Sequence, residues 1–175
     1  GGAVAPGPPH ADNVPPPISG GSPTARGAGV PGIDAAIPLV AVLREIVVPT
    51  RDARGVVPEP APVKQLVETV ANAATLTAGM ARNDPRLVGR GMGDSVVTPA
   101  RAKLIDGYNE VCTAAMAAGA AGVTISGAGP TVIAACTDHD RRRVANAMLD
   151  AFEDRGTDAR AYQTRVGRGA EVFDS

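Results

Sequence analysis

The pattern of hydrophobic and polar positions changes character at Ile37. Upstream, residues 1–34 (GGAVAPGPP, NVPPPISGGSP, RGAGVPG) carry Pro and Gly so densely that neither a helical stripe nor a strand alternation can run through them, and little regular structure is predicted there. Downstream, IPLVAVLREIVVP (37–49) is the continuous apolar run of a buried strand, closed by Pro49. TRDAR (50–54) reads as a short helix with Thr50 or Asp52 near its N-terminus, and PEPAP (58–62) as a connector. In VKQLVETVANAATLTAGMA (63–81), Val63, Leu66, Val67, Val70, Ala74 and Ala78 recur at helical spacing. This predicts an amphipathic helix with those six on its core face, and Gly79 loosening its last turn. NDPRLVGRGMGDS (83–95) reads as a short helix and a Gly-rich loop, and residues 98–111 lead into a helix that Gly119 stops. AGVTIS (121–126) and TVIAAC (131–136) are predicted strands flanking GAGP. DRRRVANAMLDAFEDRG (140–156) is a helix with Val144, Ala147, Met148, Ala151 and Phe152 on one face and Gly156 as its stop. DARAYQTRV (158–166) is a last strand.

The order from Ile37 is therefore strand, helices, strand-turn-strand, helix, strand. This is the split βαβ pattern of a ferredoxin-like α+β sandwich, enlarged by extra helices after its first strand. Such a fold hosts many functions, so the chemistry has to come from particular residues.

Composition narrows the classes. A net charge of −1 with no basic stripe argues against nucleic acid, and no Lys/Arg-rich amphipathic segment argues for a membrane surface. Apolar runs are strand-length, too short to span a bilayer, and no signal peptide is visible. Cys112 and Cys136 are far apart and read as small core residues of a reducing compartment. A soluble cytoplasmic protein is expected. Trp is absent and aromatics are scarce, so the core must be Val, Ala, Leu and Ile. Lys is confined to Lys64 and Lys103 while Arg abounds, as in a GC-rich genome. The chain starts GGAV with no Met, which reads as a fragment.

Three groups could carry chemistry. In TISGAGPTVIAACTD (124–138), Gly127 and Gly129 allow either a plain hairpin turn or a backbone loop that lies against a ligand, its N–H groups forming an anion nest. The G-K-[ST] ending of a P-loop and the dinucleotide fingerprint are both missing. His10, Asp12 and Asn13 place an imidazole, a carboxylate and a carboxamide within four residues, which suits either a small polar substrate or a helix cap. Arg54 and Arg101 each sit near a predicted helix start, where a guanidinium can grip a carboxylate or phosphate or simply be solvated. His139, after a strand, is expected to be exposed, and no metal-ligand spacing appears.

Taken in order, PHADN, PTRDAR, NAATLTAGM, VVTPARAKLIDGY and GVTISGAGPTVIA resemble the C-terminal half of the homoserine kinase family. That family lies within the small-molecule kinase superfamily named for galactokinase, homoserine kinase, mevalonate kinase and phosphomevalonate kinase. The resemblance runs from about His10 to Val172, and GVTISGAGPT is similar to the superfamily's third motif. The Arg- and Ala-rich wording is similar to a haloarchaeal version. The resemblance implies ATP-dependent phosphorylation of the hydroxyl of L-homoserine, for threonine biosynthesis. It implies Asp12 and Asn13 as the catalytic-site pair facing the amino and hydroxyl groups, Arg54 and Arg101 on the carboxylate, and His10 nearby. It further implies that Ser126, Gly127, Ala128 and Gly129 line the nucleotide and substrate cleft. Asp12 is given a positioning role, since such enzymes are thought to need no strong general base.

The departures from the pattern are also informative. The family's P-x-G-S-G-L-G-S-S nucleotide loop is absent, and SPTARGAGVPG (22–32) stands where an apolar strand is expected and reads as unable to form one. The chain is therefore divided into a Pro/Gly-rich remnant of the nucleotide-binding domain (1–36) and a C-terminal kinase domain (37–175). ATP and Mg²⁺ are expected to be held mainly by the absent part, little kinase activity is expected of this chain alone, and an exposed docking face is expected to favour self-association as a homodimer. Two alternatives are another kinase of the superfamily and a non-catalytic ferredoxin-like module that binds an amino acid.

Overall fold

A computed structural model describes residues 22–23, 32–44, 53, 55–58 and 62–167. Its centre is a four-stranded sheet of β3 (Pro38–Arg44), β4 (Gly122–Ile125), β5 (Val132–Ala135) and β6 (Ala159–Arg165), in the order β4-β5-β3-β6 with every neighbour antiparallel. The hairpin strand β5 lies between β3 and β4, which is the split βαβ order expected of a ferredoxin-like sandwich.

Strand register decides which residues face which layer. Val40 is opposite Ala134 and Val42 opposite Val132, so these four share one face. Onto that face pack α4 (Tyr108–Ala117) and α5 (Arg141–Glu153), contributing Tyr108, Val111, Val144, Met148 and Phe152 to the main core. Leu39 and Ala135, also opposite one another, point to the other face. There they meet Val88 of α2 (Pro85–Gly91) and Met80 of α1 (Val63–Ala81). Asp84 caps α2 by accepting from the N–H groups of Arg86 and Leu87, and Pro85 sits at the first turn where its missing N–H costs nothing. α3 (Val97–Ala102) is a six-residue helix with no fully buried residue, beside β4.

Several expectations are met closely. α1 has the predicted bounds, the strands at 121–126 and 131–136 shorten by one residue at each end, and α5 buries Val144, Met148 and Phe152 completely. Gly156, at φ +67, follows α5 where a left-handed residue lets Thr157 N–H reach back to Phe152 O. Cys136 is buried, Cys112 is half-buried and both are free thiols, while His139 is exposed. No described helix is long and apolar enough to cross a membrane.

Four expectations are corrected. The six apolar positions of α1 do not face the core: Val63 is 76% exposed, Leu66 59%, Val67 63% and Val70 60%, and Ala74 and Ala78 are exposed too. α1 instead packs through its other side, because Gly79 admits the backbone of Val88 and Leu76 meets Gly91. Gly79 is thus a close-contact point and not a loosened turn, and the helix runs on to Ala81. The segment 98–111 is two helices, broken at 103–107, because Gly107 takes φ +81 and starts α4 in a new direction. Finally, the Pro/Gly-rich stretch does form a minimal ladder: β1 (Ser22–Pro23) pairs antiparallel with β2 (Gly32–Ile33). Two residues on each side suffice, and a proline is tolerated in a strand that has one pairing edge. The end of the first predicted strand, residues 45–49, lies outside the described residues, as does most of the 50–54 helix, of which Ala53 is helical.

Candidate functional site

The TISGAGPT segment is first of all a hairpin. The β4–β5 ladder ends at the Ile125–Val132 pair and is extended by Ser126 N–H donating to Thr131 O at 2.8 Å. Gly129 N–H then closes the turn on Ser126 O at 3.0 Å. Gly127 and Gly129 both need positive φ, +59 and +88. A side chain at Gly129 would press on Ile105 and Ile125, whereas one at Gly127 would meet open space. The tip therefore points outward: Ser126 and Gly127 are exposed, Ala128 and Gly129 half-buried. Among the described residues the N–H groups of Gly127 and Ala128 donate to no backbone acceptor. The turn is thus an outward-facing rim with donors available to an anion.

α3 lies beside this turn and is held from both ends. The Asp94 carboxylate accepts from the N–H groups of Val96 (2.8 Å), Val97 (3.1 Å) and Thr98 (2.5 Å). Burial alone would raise the Asp94 pKa, but these N–H groups and the Thr98 hydroxyl outweigh it and hold the carboxyl below the usual aspartate range. Thr98 shares a hydroxyl–hydroxyl bond of 3.2 Å with Thr124 on β4. One turn further on, Arg101 donates from Nη1 to Gly127 O at 2.8 Å and from Nε to Ala53 O at 3.0 Å. Thr98 with Thr124 and Arg101 with Gly127 have the same offset along the chain, so α3 tracks alongside β4 toward the turn.

This geometry brings together Arg101, Gly127 and Ala53, the chain neighbour of Arg54. Of the sequence-derived site residues, Arg101, Ser126, Gly127, Ala128 and Gly129 form one cluster at the tip of the β4–β5 hairpin. His10, Asp12, Asn13 and Arg54 lie outside the described residues. Asp94 and the Thr98–Thr124 pair were not singled out from sequence. The signal for that cap lies in D-S-V-V-T-P, where an aspartate precedes the helix that begins at Val97.

On the other side of α3 lies an open depression of about 600 Å³ that includes Lys103, Tyr108 and Arg155 but not Arg101. Arg155 there bridges Asp106 at 2.8 Å and Glu110 at 2.9 Å, and burial together with a bond to Cys112 pushes the Tyr108 phenol above its ordinary pKa. Its two carboxylates are already paired with Arg155, and it holds none of the groups implied for the substrate. Among the described residues no group of three His, Cys, Asp or Glu is placed to hold a metal ion.

Comparison with known proteins bears out the resemblance read from the residues. Residues 76–154 match the family described as GHMP kinases C terminal. The chain is 68% identical over 173 residues to a homoserine kinase of Haloarcula marismortui, covering 99% of this chain and 60% of that protein. It is 65% identical to one of Natronomonas pharaonis, with the same coverage. The crystal structure of a homoserine kinase from Cytophaga hutchinsonii superposes with a TM-score of 0.85 at 33% identity, covering 92% of this chain and 53% of that one. The chain thus spans about 60% of the length of the curated relatives it matches.

Proposed function

We propose that the chain is the C-terminal part of a homoserine kinase that transfers the γ-phosphoryl group of ATP to the hydroxyl of L-homoserine. The observation that carries this reading is the 68% identity to the Haloarcula marismortui homoserine kinase over 99% of the chain, which takes in the H-A-D-N, P-T-R-D-A-R, R-A-K-L-I-D-G-Y and S-G-A-G segments.

On this reading Arg54 and Arg101 hold the substrate carboxylate, Asp12 and Asn13 face its amino and hydroxyl groups, and His10 stands nearby. The bond from Arg101 to the carbonyl of Ala53, next to Arg54 in sequence, supports the pairing of the two arginines. So does the guanidinium's Nη2, which has no partner among the described residues. ATP, with Mg²⁺ on its phosphates, supplies the transferable group. The bond from the homoserine oxygen to phosphorus forms as the bond to the ADP oxygen breaks, and the hydroxyl proton passes to solvent. This reaction is governed by positioning and charge neutralisation, which matches a site of arginines and backbone donors. The reading also divides the chain at residue 36 into a nucleotide-domain remnant and a kinase C-terminal domain, in the cytoplasm. It includes self-association, supported by the exposed apolar stripe of α1.

The test is calorimetric titration of the chain with L-homoserine and with the amino alcohol that lacks its carboxylate. Homoserine should bind more tightly, and Arg101→Ala should cost it roughly 2–5 kcal/mol while leaving the amino alcohol unchanged. Equal affinity for the two compounds would sink the carboxylate assignment. In the complete enzyme, ADP release that is faster with mevalonate than with homoserine would transfer the reading to another kinase of the superfamily.

A further inference from the structure

We propose that Arg101 is a positioning residue for the Ser126–Gly129 turn, tying it to the segment at Ala53, and that a carboxylate ligand shares the same guanidinium, so that binding stiffens the turn. The tying rests on geometry alone; its link to the ligand rests on the homoserine reading.

The turn is anchored unequally. Its Gly129 end is packed near Ile105 and Ile125, whereas Gly127 at the tip has nothing around the position a side chain would fill. Among the described residues, the Nη1 bond from Arg101 to Gly127 O is the one side-chain tether on this turn. Arg101 is a suitable anchor because its own backbone is fixed. The Asp94 cap holds the start of α3, Thr98 bonds Thr124, and Leu104 N–H donates to Arg101 O at 2.9 Å. Its Nε reaches the carbonyl of Ala53, a completely buried residue. One guanidinium therefore joins three segments that are distant in the chain, around residues 53, 101 and 127. Lysine keeps the charge but not the fork geometry that serves two carbonyls at once.

The same occupancy directs how an anion can bind. Nε is engaged by Ala53 O, so the side-on fork of Nε and Nη2 is closed. A carboxylate is left with the end-on fork of Nη1 and Nη2, and Nη1 already carries Gly127 O. A guanidinium held by a ligand samples fewer rotamers, so its bond to Gly127 opens less often. Ligand and turn are coupled through one side chain.

Amide hydrogen exchange at Gly129, whose N–H closes the turn, reads this directly. In the ligand-free chain, Gly129 should exchange at least about fivefold faster in Arg101→Lys and in Arg101→Ala, the loss of one hydrogen bond's worth of local stability. Val123 and Val132 in the adjoining ladder should be unchanged, which separates a loosened turn from an unfolded chain. With saturating L-homoserine, Gly129 should slow at least about twofold in the wild type and not in Arg101→Lys. A Gly129 rate that is the same in all three free proteins overturns the tying. Homoserine that binds the wild type by calorimetry without slowing Gly129 overturns the coupling. Absence of any homoserine binding counts against the kinase reading and against the coupling that rests on it, while the ligand-free comparison still decides the tying. Should Arg101→Ala fail to fold, Arg101→Lys keeps the stem and charge and decides the same comparison.

Discussion

At the scale of single residues, three backbone N–H groups converge on Asp94, and through it α3 acquires the start that its own sequence lacks. Val96, at the cap position, has no hydrogen-bond acceptor on its side chain. The Asp94 carboxyl titrates below the ordinary aspartate value of 3.8 in the folded chain, because the N–H bonds outweigh the burial that opposes them. A folded pKa below the unfolded one means that the stabilisation is fully present above the unfolded value and is lost as pH falls through the folded value. Melting temperature should accordingly be insensitive to Asp94 ionisation near neutrality and decline in acid. Asp94→Asn keeps one oxygen for Val96 and Val97 but sets an NH2 group where the other oxygen accepts from Thr98 N–H, so it should lower stability at neutral pH by about 1 kcal/mol and flatten the acid limb of the pH profile. A profile that keeps the same acid limb in Asp94→Asn would assign that limb to other carboxylates.

At the scale of elements, two glycine contacts set how closely layers approach. A β-carbon on Gly89 of α2 would collide with the backbone of Ala121, and one on Gly122 of β4 would collide with Gly89 in return. Backbone cannot swing aside as the end of a side chain can. Gly89→Ala should therefore cost about 2–3 kcal/mol, read as a fall in the urea midpoint. Gly127→Ala meets open space but must hold φ +59, so it should cost about 1 kcal/mol of backbone strain and no packing. If the two substitutions cost the same, close packing between α2 and β4 is not what limits the first. Periodicity located α1 and α5 to within a few residues, since a repeat of apolar positions marks where a helix runs. It misassigned the face of α1, because an apolar stripe says what a helix could bury and not what stands across from it. The faces of α5 were legible because the sheet core lies directly beneath Val144, Met148 and Phe152.

At the scale of the whole molecule, the α1 stripe is the main exposed apolar feature among the described residues, with Val63, Leu66, Val67 and Val70 all more than half exposed. Since these side chains leave little water on folding of this chain, replacing them should barely touch its stability. Leu66→Lys combined with Val70→Lys should change the free energy of urea unfolding by less than about 0.5 kcal/mol and reduce concentration-dependent association in sedimentation. A large loss of stability would mean that the stripe is covered within the chain. The ferredoxin-like order was legible because strands, turns and helices alternate in sequence with distinct periods.

The sequence by itself determined the element types, their order and the family resemblance, because periodicity, turn residues and motifs are local properties of the chain. It also marked Arg101 and the S-G-A-G turn as candidates, by chemistry and by likeness. The tertiary structure decided what those candidates do to each other. That Arg101 donates to Gly127 and Ala53, that Thr98 meets Thr124, and that Gly89 lies against Ala121 are contacts between segments far apart in the chain. Such contacts are set by how layers pack, and no local pattern encodes the partner of a side chain that lies across the fold.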